Sequence, residues 1–236
     1  MFDLLIQKIT RHVKNSLKNT PYSIVSLGPN CYPRTVLTRK KLIKQKSCGR
    51  LTMPFDFAYY HNAKFVTEFL ENDFVDFFKD LHYSDFCKSF DSGEKINFSH
   101  EGYLKDTEKN KLVKIYENRI KNFRNELKKD NPILFLQILK DEDVDEDCKN
   151  TYSTLKKLCR KRKFAYVVVD CNDLVQPHKV PFEIYLTKMH LPKEDTDIFS
   201  SEFYNSEFGK IFEEKIANFV GNVIMKEFGY RIEKFL

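Results

Sequence analysis

Three short runs in this chain are apolar without interruption, and longer amphipathic stretches separate them. The first run is residues 22–27, within "YSIVSLGPNCYPRTVL"; the second lies in "NPILFLQIL" at 131–139; the third is "FAYVVVD" at 164–170. A strand apolar on both faces belongs inside a sheet that is covered on both sides. Elsewhere the apolar spacing is three and four. Residues 1–19 put Phe2, Leu5, Ile6, Ile9, Val13 and Leu17 on one face, opposite a basic one. Residues 33–45 and 62–80 read as helices, the second capped by Asn62. Residues 107–129 form a long charged helix whose apolar face carries Leu112, Ile115, Tyr116, Ile120, Phe123 and Leu127.

The intervening segments read differently. Residues 84–103 are polar and predict a loop with a small hairpin. The acidic run 140–150 lacks the central Gly and closing Glu of an EF-hand calcium loop, so it reads as a solvated loop. Residues 151–162 form a helix with a basic end, which suits the helix dipole. Beyond Asp173 the pattern weakens: "PFEIYLTKM" holds one more strand, residues 201–228 are helical, and "YRIEKF" closes the chain. Buried strands alternating with helices predict an α/β fold, a three-layer domain with a mainly parallel sheet flanked by helices. No repeat or linker divides it. The expected organisation is an N-terminal amphipathic helix at 1–20 and a single α/β domain at 21–236. The helix is expected to pack on the core; its basic face leaves a peripheral membrane contact through residues 1–19 as the alternative.

Composition changes this picture little. At 236 residues and 42% hydrophobic, the chain can bury a sizeable core. The net charge of +6 comes from basic residues interleaved with Asp and Glu, which is a solvated surface and not a nucleic-acid footprint. No stretch has the ~18 apolar residues of a membrane helix, and no secretory leader is visible. Cys31, Cys48, Cys87, Cys148, Cys159 and Cys171 form no CxxC and no zinc-like spacing. They read as the reduced thiols of a cytoplasmic protein. Neither a cofactor nor a metal is indicated, because His and carboxylates never cluster at ligand spacing.

Parallel sheets carry their sites at the carboxyl ends of the strands, and Cys31 lies just past the end of the first run. Pro33 favours a helix start there, which puts Asn30 or Cys31 at the N-cap. A helix N-terminus stabilises a thiolate and offers N–H groups to an oxyanion. Gly28 permits a sharp turn and the close approach of a ligand. The alternative is a small residue packed in a tight strand-to-helix turn. A phosphatase loop is excluded, since Leu37 stands where its Arg would be, and one Gly does not make a dinucleotide fingerprint. Asp56, in "LTMPFDF", sits among aromatics and needs a partner if buried. His100, in "INFSHEGY", is a candidate general base with a pKa near neutrality.

At these residues the chain resembles a bacterial family of uncharacterised proteins known as papain-like cysteine peptidases. "SIVSLGPNC", "PFDF", "FSHEGY" and "YENRIKNFRNELKKDNPILFLQI" carry the resemblance, which spans about residues 22–175. The family pattern falls on Ser26, Gly28, Asn30, Cys31, Phe55, Asp56, His100 and Arg119, with Phe57 in place of the usual Trp. The resemblance implies a cysteine hydrolase or acyl transferase that works through a thioester on Cys31, with His100 as base. Ser26, Gly28, Asn30, Asp56 and Asn172 are the candidates for substrate or oxyanion contacts. Asp170 is the first choice to orient His100, with Asp56 and Asn172 behind it, because "VVVDCND" ends at the same sheet edge as Cys31. The expected α/β sheet does not match a papain-like fold, so the peptidase label is in question.

Two other readings stand beside this one. A small esterase-like hydrolase would use a late His, either His178 or His190 with Asp195 and Asp197. A non-catalytic domain would bind a sugar, a nucleotide or a protein partner at the strand ends, with Asn30 and Asp56 bonding a polar ligand and Cys31 only packing. A further option is an interaction module that uses the basic helix ends.

Overall fold

In a computed structural model of the chain, residues 21–28, 30–43, 51–140, 144–171, 181, 183–191, 198 and 200–230 are described. The expected N-terminal helix, Cys48, Asn172, Asp173, His178, Asp195, Asp197 and the last six residues lie outside them.

The three apolar runs are strands, and all are parallel. β1 (Ser23–Ser26) pairs with β6 (Ile133–Leu139), which pairs with β7 (Phe164–Asp170), and β8 (Ile184–Lys188) adds to the far side of β7. The fourth strand confirms the weak signal in "PFEIYLTKM". Alternate residues of these strands feed two separate apolar clusters. Val25, Phe135, Leu139, Tyr166 and Val168 join one cluster; Ile24, Leu134, Leu136, Val167 and Val169 join the other. This is the period-two geometry of a strand buried on both faces.

The helices divide between these clusters. α1 (Tyr32–Arg39), α5 (Ser201–Asn205) and α6 (Glu207–Phe228) contribute to the second; α2 (Lys64–Glu71), α3 (Lys109–Leu127) and α4 (Val144–Cys159) contribute to the first. Ser200 and Ser206 cap α5 and α6 by accepting from Phe203 N at 3.1 Å and Gly209 N at 2.9 Å. The N-cap of α2 is Ala63 and not the expected Asn62, whose side chain accepts from Lys64 N at 2.8 Å in the turn before it.

Three further expectations need correction. Residues 62–80 are not one helix: α2 stops at Glu71, and turns with positive φ at Asp73, Phe74 and Asp80 follow. That segment bends so that Phe74 and Phe77 fold back into the aromatic core beside Phe55, Phe69 and Phe123. The acidic run is not all loop, since α4 begins at Val144. Asp145, Glu146 and Asp147 fill its first turn, where the helix dipole favours carboxylates.

The third correction matters most for the site. The sheet is not the whole β structure. β2 (Tyr59–Tyr60), β3 (Leu81–Ser84), β4 (Ser89–Ser92) and β5 (Ile96–Asn97) form a second, antiparallel sheet in the order β2-β5-β4-β3. The fold is mixed α/β with one parallel and one antiparallel four-stranded sheet. The second sheet packs on the first cluster through Tyr60, Phe90, Ile96 and Leu81.

Phe55 is fully buried with its ring centroid 5.5–5.8 Å from those of Tyr60, Phe74 and Phe123. Phe55→Ala is expected to lower the unfolding free energy by about 3–5 kcal/mol in urea titration, as for other buried aromatic truncations.

Candidate functional site at the end of the first strand

β1 ends at Ser26, and the chain turns through Gly28 at φ +76°. A Cβ at Gly28 would meet Asn30 N at 3.3 Å and the Tyr60 ring at 3.4 Å. Only glycine adopts this φ without strain, and the turn lets the strand end run close beneath Tyr60. Asn30, which is buried, then accepts from Tyr32 N at 2.8 Å, a side-chain-to-backbone turn that starts α1. Cys31 is the N-cap residue, and Pro33 sits in the first turn.

The helix N-terminus is therefore less open than the sequence suggests. Asn30 occupies the Tyr32 N–H, and Pro33 has none. The Cys31 N–H already faces its own thiol. Nor is the thiol acidic: burial pushes Cys31 up from the ordinary cysteine range. Its own backbone and the Thr35 hydroxyl oppose that shift without overcoming it. Burial thus works against the thiolate that a helix N-terminus would favour.

Asp56 anchors the other half of the site. It ends the 3₁₀ turn Pro54–Asp56 and is fully buried. One carboxylate oxygen accepts from Ser26 Oγ at 2.7 Å. The other accepts from Met53 N at 2.8 Å and from the Arg34 guanidinium, with which it forms an ion pair. Arg34 is itself 5% exposed. One carboxylate thus ties the end of β1, the first turn of α1 and the loop before β2. Ser26 and Asp56 are both fully buried and bonded to each other within this clamp.

Phe57 follows, half-buried, with cations around its ring. The guanidinium carbons of Arg34 and Arg119 each lie 5.0 Å from its centroid, and the His100 ring packs edge-on at 5.4 Å. The antiparallel register brings His100 there. Tyr59 pairs with Asn97 and Tyr60 with Ile96, so the chain just before β2 faces the chain just after β5. His100 sits on the 3₁₀ turn Ser99–Glu101 and is exposed.

Glu101 beside it points inward. It accepts from Arg119 Nη2 at 2.7 Å and from the Tyr116 hydroxyl at 2.9 Å. Arg119 Nη1 is buried without a hydrogen-bond partner. The guanidinium stands 4.3 Å over the Tyr116 ring.

Arg34, Asp56, Phe57, His100 and Arg119 thus form one connected neighbourhood, and Cys31 precedes Arg34 by three positions at the N-cap of α1. Asp170 does not join it. It ends β7, two strands from β1, and is fully buried; burial first, and the Asp147, Asp145 and Asp170 charges after it, raise the Cys148 thiol. The ring contact of His100 is with Phe57. His190 follows β8 at the opposite edge of the sheet. Among the described residues no three His, Cys, Asp or Glu side chains are grouped to hold a metal. Cys31, Cys87, Cys148, Cys159 and Cys171 are all free thiols, and no described helix is long and apolar enough to cross a membrane.

Arg34 and Glu101 were not among the expected site residues. Arg34 could have been found: it follows Cys31 by three positions, which is the same helix face. Glu101 could not, because its burial depends on a sheet with no clear sequence pattern. Compared with models of known families, with curated proteins and with solved structures, the chain matches none.

Two outcomes follow from this geometry. Asp56→Ala leaves the buried Arg34 charge uncompensated and is expected to cost about 3–5 kcal/mol in denaturant unfolding. Replacing Arg34 by Met in the same chain should recover part of that loss. Alkylation of Cys31 by iodoacetamide, followed by peptide mass spectrometry, should rise at a higher pH than for free cysteine at ~8.5, because burial favours the neutral thiol.

Proposed function

We propose that the chain is a thiol-dependent acyl-transfer enzyme, a hydrolase or acyl transferase, with Cys31 as nucleophile and His100 as general base. One observation carries this reading. Within the connected neighbourhood and the adjoining N-cap of α1, the buried polar groups hold one another, and the two groups able to do chemistry, half-buried Cys31 and exposed His100, reach the surface. Reactive groups at the surface of a rigid polar scaffold are what an active site requires. The resemblance to the papain-like cysteine peptidase family points to the same pair. The kinship proposed is one of chemistry at Cys31, since parallel pairing of β1 with β6 is not a papain-like arrangement. In this reading the parallel sheet is the middle of three layers.

The raised thiol pKa shapes the mechanism. The resting thiol keeps its proton, and His100 acts as a base during attack. Its unprotonated ring nitrogen takes the Sγ proton as Sγ adds to the substrate carbonyl. Collapse expels the leaving group, which takes the proton back from the imidazolium, and a thioester stays on Cys31. Water or an acceptor nucleophile then attacks that thioester as His100 removes its proton; the acyl–Sγ bond breaks, and Sγ leaves with the proton returned by the imidazolium. A catalytic pair without a third carboxylate fits His100 resting on Phe57.

A non-catalytic binding domain is the second reading. The raised thiol pKa and the unpartnered Arg119 Nη1 favour it.

Incubation with p-nitrophenyl acetate, followed by intact-mass and peptide mass spectrometry, separates the two. The enzyme reading expects an acetyl adduct on Cys31, none in Cys31→Ala, and acylation in His100→Ala slower by roughly 10²–10⁴-fold, the usual contribution of a general base. Acylation that ignores both substitutions would favour the binding domain.

A further inference from the structure

The Thr35 hydroxyl approaches the thiol from within α1. Thr35 lies four positions after Cys31, on the same helix face, and both residues are half-buried. Its Oγ1 donates to Cys31 O at 3.0 Å, and Thr35 N donates to the same carbonyl at 2.9 Å. Cys31 O therefore keeps a helix bond if the hydroxyl turns away. The hydroxyl is also within hydrogen-bonding reach of Cys31 Sγ, where it favours the ionised form.

A threonine bond to the carbonyl four residues back is common in helices and carries no chemistry by itself. α1 supplies the comparison. Thr38 Oγ1 donates to Arg34 O at 2.9 Å, which is the same bond three positions on, with an arginine where Thr35 has a thiol. Only Thr35 of the two has a sulfur to turn to. Among the described residues, burial on one side and two hydrogen bonds on the other, from the Cys31 N–H and from Thr35, set the balance at Sγ. The N–H is fixed by the backbone, whereas a hydroxyl rotates about one bond.

We infer that Thr35 stabilises the sulfur of Cys31 whenever it carries negative charge, given Cys31 as the nucleophile proposed above. While Sγ holds its proton, the hydroxyl donates to Cys31 O. As that proton passes to the unprotonated nitrogen of His100, the hydroxyl turns and donates to Sγ. Its own O–H bond never breaks, and Cys31 O retains the Thr35 N–H. Once Sγ has bonded to the acyl carbon its charge is gone and the hydroxyl turns back. It donates to Sγ again when the acyl–Sγ bond breaks in the second half of the reaction. A donor that meets charge as it develops lowers the barrier without an acidic resting thiol.

The test follows iodoacetamide alkylation of Cys31 against pH, by peptide mass spectrometry, in the parent chain and in Thr35→Val, Thr35→Ser and Thr38→Val. Sγ bonds to the acetamide carbon as iodide leaves, so the reaction requires no acyl substrate. Thr35→Val is expected to slow alkylation by roughly threefold to tenfold near pH 8 and to match or exceed the parent rate on the alkaline plateau, because a thiolate without its hydrogen bond is scarcer and more nucleophilic. Thr35→Ser and Thr38→Val should keep the parent profile. A Thr35→Val profile that superimposes on the parent's, or is faster at every pH as a loosened helix would give, would overturn the inference. So would equal slowing in Thr38→Val. Acylation by p-nitrophenyl acetate separates the two readings: a Thr35→Val shift in the alkylation profile with no acetyl adduct on Cys31 would support the Thr35 bond to the thiolate and overturn the enzyme.

Discussion

The buried carboxylate of Asp56 is the constraint on which the site depends. A fully desolvated charge persists only if its partners are fixed. Those partners are Ser26 at the end of β1, Arg34 on α1 and the Met53 backbone. Each lies on a different piece of chain, so satisfying one carboxylate sets the angle at which α1 leaves the strand. That angle places Cys31. Because the charge is buried and neutralised by Arg34, the clamp contributes position and little net field at the thiol. This accords with a Cys31 pKa governed by desolvation and not by a cation.

A second constraint brings His100 to the Phe57 ring. The short pairing of β2 with β5 holds the residues before one strand opposite those after the other. Phe57 is the contact surface between the two halves. It receives Arg34 from the thiol side, Arg119 from α3 and His100 from the antiparallel sheet. The Phe at this position keeps the aromatic face that both guanidiniums need while lacking an indole N–H. The catalytic reading thus rests on two elements joined by one ring, and the absence of a Cβ at Gly28 is what lets Tyr60 close over the strand end.

Much of the parallel sheet was legible because "NPILFLQIL" and "FAYVVVD" are apolar on both faces, a pattern that few other arrangements satisfy. Cys31, Asp56 and His100 were legible as chemistry-bearing residues at strand ends and in loops. The antiparallel sheet was not: β2 and β5 have two residues each, and β4 reads Ser-Phe-Asp-Ser, so no period survives. With that sheet unseen, Glu101 could not be recognised as the buried partner of Arg119, and the orienting role was expected of Asp170. Asp170 shares the carboxyl edge with Cys31, but β7 lies two strands from β1.

The central claim is that Cys31 and His100 face each other across one site. Bridging by dibromobimane, which joins only neighbouring thiols and fluoresces when it does, tests this directly in a His100→Cys chain with exposed Cys87→Ser as background. Fluorescence with a cross-linked peptide pair joining position 31 to position 100 is the result this account predicts. Single-ended alkylation at each position, with no bridge, would contradict it.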